Sequence, residues 1–359
     1  MSSSEDKFPF VSLCTPTYNR RPFYPSLIRS IQNQKYPSSR MEWIIIDDGT
    51  DSIEDLVKDI PIVKYFRYEK KMPLGEKRNV MHQKTKGDFI VYIDDDDYYP
   101  PERVSHAVET LQKNPKAMCA GSSIMHIYFK HIQQMWQFGP YGPNHATAAT
   151  FAFRKELLKD SVYDDMACLG EEKSFLRNYT VPFVQLDTFK TILVLSHIHN
   201  SFDKKELIEK GENKYAKKVD VKVTQFIKDE ETLSFFMHDI DKVLDQYKPG
   251  DPSNKQDVLV FMQATKKTRA EMEEVMKRQH HDMQMQANEQ FKKLQEQHKK
   301  NTEELVEKNR KLTADLKKKT ENSEYIENKI KKLLTELVEC KTELKRLKLK
   351  NDPARVVTS

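Results

Sequence analysis

Glycine is scarce in this chain, with 9 among 359 residues and none after Gly250. No early glycine-rich loop carrying Lys or Arg is present, which argues against nucleotidyl transfer through a phosphate loop. Cysteine is scarcer still. Cys14, Cys119, Cys168 and Cys340 stand far apart without a CxxC pair, which excludes a disulfide framework and fits free, mostly buried thiols in a reducing compartment. No apolar run approaches the roughly 18 residues of a membrane span. The opening MSSSEDKF also has no signal-peptide core, so a soluble, cytoplasmic protein with no transmembrane segment is expected. Charge of one sign is missing too. Residues 1–250 hold 35 Lys and Arg against 36 Asp and Glu, while residues 251–359 hold 25 against 19, so the net +5 arises in the tail. An interspersed excess of that kind argues against a nucleic-acid partner, which requires a clustered basic face.

What is present centres on residues 87–101, GDFIVYIDDDDYYPP. Phe89 to Ile93 is an apolar run suited to a strand buried on both faces, and four aspartates, Asp94 to Asp97, follow at once. Adjacent carboxylates repel one another at neutral pH, so a cation is implied, most economically Mn²⁺ or Mg²⁺ bridging to phosphates. The competing reading is a solvated acidic turn before the helix near Pro100.

Three more strands precede this one: Phe10 to Thr15, broken by Pro16-Thr17-Tyr18-Asn19; Trp43 to Ile46, closed by Asp47-Asp48-Gly49-Thr50; and Ile62 to Tyr68. Helical stretches separate them, the third being GEKRNVMHQKTKG from Gly75. Alternating strand and helix, each strand ending in a polar loop, predicts a parallel sheet whose loops after strands one, two and four share an edge.

The motifs TPTYNR, IIIDDGTDS, PLGEKRN and YIDDDDYYPP, in this order and spacing, resemble those of family 2 glycosyltransferases over about the first 100 residues, and more loosely to residue 205. The resemblance implies an α/β fold of the GT-A (nucleotide-diphospho-sugar transferase) type with a mixed, mainly parallel central sheet. It assigns Thr15, Pro16, Tyr18, Asp47 and Asp48 to the nucleoside side of a nucleotide-sugar donor, with UDP favoured. Lys77 and Arg78 would lie at the diphosphate, where the first turn of a helix also favours anions. Aligned on Pro101, Asp94 becomes the ribose-side carboxylate with Asp95 beside it, Asp96 the metal ligand, and Asp97 its support.

Two later stretches carry chemistry. Cys168-Leu169-Gly170-Glu171-Glu172 resembles the Gly-Glu-Asp segment of inverting glycosyltransferases, which makes Glu171 or Glu172 the general base and implies inversion. Acids favoured by a helix N-terminus are the plainer reading. His197 and His199, two apart after the run Thr191 to Leu195, offer a further metal or phosphate ligand. His126 and His131 read as ordinary exposed strand residues, in a region of two strands between Met118 and Gln137. The loop 139–150 could line an acceptor cleft, the acceptor being a glycan or protein. EEKSFL, VPFVQLD and SHIHNSFDK also resemble glycosyltransferase-like proteins of large DNA viruses, which would place the chain in a host cytoplasm. The QxxRW element of processive synthases is absent, so single transfer is expected.

Beyond residue 205, a helical extension over 206–247 is expected to pack on the catalytic domain, with 248–254 as linker. Residues 255–350 contain no Gly or Pro. From Asn309 through Leu316, Ile326, Ile330, Leu333 and Leu337 to Leu347 the spacing is a heptad seam. This predicts a long α-helical coiled coil, homodimeric, that spaces the enzyme and does not complete its active site, followed by a disordered tail over 351–359. A non-catalytic assembly protein with a GT-A-like binding domain is the alternative.

Overall fold

The four predicted strands are β1 (Val11–Thr17), β2 (Met41–Asp47), β3 (Val63–Arg67) and β4 (Phe89–Tyr92). They appear in a computed structural model that describes residues 7–209 and 213–350; the tail over 351–359 lies outside the described residues. Every residue of β1, β2 and β4 is buried, polar ones included, as strands of a sheet covered on both faces must be. The connecting helices are α1 (Tyr24–Gln32), the short α2 (Glu54–Val57) and α3 (Leu74–Lys84), with α4 (Arg103–Lys113) after β4.

β1 does not stop before Pro16. Its register with β2 runs on to Thr17 opposite Asp47. The reason lies in the ladder. Cys14 turns its carbonyl toward the β4 side, where Ile93 donates to it at 3.0 Å. Pro16, two residues on, faces the same way, but β4 has already ended. Its missing N–H therefore costs nothing.

The chain adds β5 (Cys119–Gly121), β6 (Met125–Phe129), β7 (Gln134–Phe138), β8 (Ala152–Arg154), α5 (Glu172–Phe175), β9 (Phe183–Gln185) and β10 (Val194–Ser196). The central sheet has the order β3-β2-β1-β4-β8-β5-β9. Its first four strands are parallel, and β8 runs antiparallel between β4 and β5. β8 thus crosses beside β4, the strand that leads into the aspartates.

Where two strands were expected between Met118 and Gln137 there are three, shared by two sheets. His126 is buried at 2% exposure, not an exposed strand residue. It packs on Phe189 and Phe226, and burial pushes its imidazole down to about 4.

Residues 206–247 are not all helical. They hold α6 (Glu206–Glu209), β11 (Ala216–Val219), α7 (Glu230–Ser234), a π turn over Phe235–Asp239, and α8 (Ile240–Gln246). β11 is antiparallel to β7 and completes a second sheet of order β10-β6-β7-β11. The edge of β7 needs partners for its backbone groups, and the short polar AKKV supplies them without an apolar signature.

Contacts divide the chain into two units after Thr268, not at residues 248–254. Residues 248–254 are two 3₁₀ turns held within the first unit, where Asn19 Nδ2 donates to the Pro249 carbonyl at 2.9 Å. Helix α9 (Gln256–Lys350) begins in that unit. The second unit is the part of α9 from Arg269 onward, and its seam residues are exposed, Leu316 at 64% and Ile330 at 51%. No helix among the described residues is long and apolar enough to cross a membrane.

Candidate active site

From β1 the chain moves outward through β2 and β3, then returns to place β4 on the other side of β1. Parallel sheets open a crevice at such a reversal, outside the carboxyl ends of the two strands. A cavity of about 160 Å³ lies there. Pro16 at the end of β1, Tyr18 just after it, Lys77 and Arg78 from α3, and Asp94, Asp95 and Asp96 after β4 line it. Gly75 lets α3 enter this corner, since a Cβ there would lie 1.9 Å from the Asp164 carbonyl oxygen.

The aspartates are held apart in their charge states. Asp96 Oδ2 lies 3.3 Å from Arg20 and 3.4 Å from His197 Nε2. Burial pushes its carboxyl up, but the His197 hydrogen bond and the Arg20 guanidinium outweigh this and hold it well below the usual range. Burial pushes Asp95 up, aided by Asp96 and opposed by Arg20. Asp97 is raised by burial and then by Asp96; among the described residues its buried Oδ1 has no hydrogen-bond partner, and it does not line the cavity.

His197 reaches Asp96 because Tyr98 and Leu193 exchange backbone hydrogen bonds of 2.9 and 3.0 Å, which dock the aspartate loop on the start of β10. Its Nδ1 accepts from the His199 backbone N–H, and its Nε2 lies 2.8 Å from the Asn200 side-chain amide nitrogen as well as near Asp96. Burial pushes His197 down to about 4, so it is neutral. His199 departs from the expectation. Its carbonyl accepts from Arg20 at 2.7 Å, while its ring faces Gly250 and Tyr247, with Nδ1 unpartnered. Among the described residues there is no cluster of three or more His, Cys, Asp or Glu arranged as metal ligands.

Thr15 and the two aspartates at the end of β2, Asp47 and Asp48, are spent on structure. The Thr15 hydroxyl donates to the Ile93 carbonyl and accepts from Trp43 Nε1. Asp47 accepts from the Gly49 and Ile53 N–H groups and the Tyr65 hydroxyl, so it shapes the loop. Asp48 pairs with Lys77 and accepts from the Met72 N–H at 2.7 Å. None of the three lines the cavity; Asp48 acts on it by orienting Lys77.

Glu171 and Glu172 diverge. Glu171 is buried and bonds Arg78 Nε at 3.0 Å, while Arg78 also meets Asp94 at 3.5 Å. The Arg78 guanidinium lies over the Tyr92 ring, and among the described residues its buried Nη1 has no hydrogen-bond partner. Glu172, half-buried at the start of α5, has no such cation pair among the described residues; burial and then Glu171 push it up to about 7.

Several lining residues had no distinguishing signal. Arg20 sits inside TPTYNR and joins Asp95, Asp96 and the His199 carbonyl, a role visible only with β10 in place. Lys71, Ser201, Lys255, Asp257 and Val258 also line the cavity, the last three from the root of the tail helix. Burial, then Arg20, pushes the Lys255 ammonium down to about 7.

Residues 12–162 match the model of glycosyl transferase family 2. That span runs from β1 past β8 and contains all four motifs. Over 107 residues the chain is 32% identical to an uncharacterized glycosyltransferase of Haemophilus influenzae, covering 29% of this chain and 35% of that one. Over 112 residues it is 35% identical to the GalNAc(5)-diNAcBac-PP-undecaprenol beta-1,3-glucosyltransferase of Campylobacter jejuni, covering 29% and 34%. The chain thus spans about a third of the length of these relatives. Among solved structures, the mannosyltransferase PcManGT of Pyrobaculum calidifontis with GDP-Man and Mn²⁺ aligns at TM-score 0.42 and 14% identity, over 52% of this chain and 56% of that one.

Proposed function

We propose that this chain transfers a sugar from a nucleoside diphosphate sugar to an acceptor hydroxyl, with inversion. The observation that carries this reading is the mixture of charges at the switch-point cavity. Three aspartates face Arg20, Lys77 and Arg78, and Arg78 keeps a buried guanidinium nitrogen without a partner. Such a nitrogen is costly unless an anion meets it, and a diphosphate does so. Lys77 already donates to Asp48 and to the Thr17 carbonyl at 2.9 Å, leaving one N–H for the ligand.

An ionised Asp96 on the cavity wall supplies an oxygen ligand that suits Mn²⁺ or Mg²⁺, while His197, whose ring nitrogens are both engaged within the protein, positions it. A bound ion would neutralise charge on the leaving diphosphate. In the transfer, Glu172 takes the proton of the acceptor hydroxyl, whose oxygen bonds the anomeric carbon as the carbon–oxygen bond to the diphosphate breaks. Arg78 and Lys77 stabilise the charge that then rests on the diphosphate. The acceptor, a glycan or protein, approaches past the loop 139–150. A screen of UDP- and GDP-sugar hydrolysis with and without Mn²⁺ tests the reading; no turnover with any donor would overturn it.

Two expectations concern the tail. Pairing of the exposed seam from Ile326 to Leu347 with a second copy would cover its apolar face. Sedimentation should then show a full-length dimer and, after truncation behind Thr268, a monomer. Truncation behind Lys248 should behave differently. It removes the carbonyls that Asn19 and Arg20 bond, together with Lys255 and Asp257 of the cavity wall. UDP binding by calorimetry should survive the cut at Thr268 and fail with the cut at Lys248, contrary to a tail that plays no part in the site. The four free thiols support a cytoplasmic location.

A further inference from the structure

Lys255 is the one long cation of the cavity wall that comes from the root of the tail helix. It is 7% exposed, and lysine is almost never that buried without a charged partner. Among the described residues its Nζ makes one hydrogen bond, to Ser201 Oγ at 2.5 Å, and no carboxylate lies within ion-pair distance. An ammonium has three donors, so two remain beside the cavity.

Its position is fastened from both sides. The three consecutive residues after β1 hold the segment before it: Tyr18 hydroxyl to the Asn254 carbonyl, Asn19 to that of Pro249, and Arg20 to that of Gly250. After it, Asp257 pairs with Lys71, which lies over the Tyr18 ring at 4.9 Å. This fastening holds a buried, underpartnered ammonium at a ligand cavity.

We infer that Lys255 binds the diphosphate of the donor, so that residues 254–258 form a strap completing the donor site; the inference rests on the transferase reading. Charge selects the diphosphate, because base, ribose and a neutral sugar offer an ammonium no counter-charge. The strap also accounts for the small cavity. About 160 Å³ is below the roughly 300–1,000 Å³ usual for small-molecule sites, and Lys255, Asp257 and Val258 occupy one side of it.

The test is calorimetric titration of the full-length protein with UDP and with GDP, alongside thermal melting. Lys255→Met keeps the stem and removes the charge. It should weaken nucleoside diphosphate binding about tenfold or more while the melting temperature of the free protein holds or rises. Lys255→Arg should stay within a few-fold of the parent. Unchanged affinity in Lys255→Met overturns the assignment. So does an equal loss in both variants with a lowered melting temperature, which would mark Lys255 as a structural counter-charge. A parent protein that binds neither diphosphate overturns the transferase reading itself, and the strap's ligand with it.

Discussion

Replacing Asp96 by Asn is expected to lower transfer about a thousandfold or more and to remove any dependence of donor binding on Mn²⁺, with the fold intact. Asp96 is the cavity carboxylate placed between Arg20 and His197. It is also held ionised where burial pushes Asp95 and Asp97 toward the protonated form. Loss of that charge removes the strongest anionic ligand from a cation site whose contribution to the transition state is several kcal/mol. The fold should persist because asparagine keeps the volume and can still accept from His197. Arg20 meanwhile retains Asp95 at 3.6 Å and the His199 carbonyl at 2.7 Å. Circular dichroism establishes folding, and calorimetry with and without Mn²⁺ reads the rest. Full activity in the folded variant would refute the metal assignment.

Glu172→Gln should lower kcat about a hundredfold or more with little change in donor affinity, since the residue lies outside the wall of the donor cavity. The pH profile gives the sharper sign. A base must be deprotonated to work, and burial with Glu171 beside it pushes Glu172 up to about 7. In the parent protein kcat should therefore rise as pH increases through about 7 and level off above it. In Glu172→Gln that rise should vanish. Glu171→Gln is expected to act differently. It takes a hydrogen-bonded charge from Arg78, so donor affinity and melting temperature should move together. A parent profile that is flat between pH 6 and 8 would count against Glu172 as base.

Much of the fold was legible in order. β4 and the Trp43–Ile46 part of β2 are continuous apolar runs because a sheet covered on both faces has no solvated side, and the buried polar residues of β1 and β2 are paired within the sheet, Ser12 with Glu42 and Thr15 with Trp43. The polar breaks after them placed the aspartates and the Tyr18 loop at one edge. β11 was not legible, since AKKV becomes a strand only through the open edge of β7.

By itself, then, the sequence determined the parallel half of the sheet, the acidic run at its edge, and the exposed heptad register of the tail. All of these follow from local periodicity and chain direction. Only the tertiary structure decided how the charges were shared. Asp47 and Asp48 spend their oxygens on the loop and on Lys77, and His199 turns its ring away while His197 meets Asp96. Of the two adjacent glutamates, only Glu171 pairs with Arg78. The wall formed by Lys255 and Asp257 was likewise decided there, in a stretch whose composition marks it as the start of the coiled coil. The physical reason is that a buried charge takes its role from the partner that reaches it, and Lys77 and Arg78 lie 29 and 93 residues along the chain from Asp48 and Glu171.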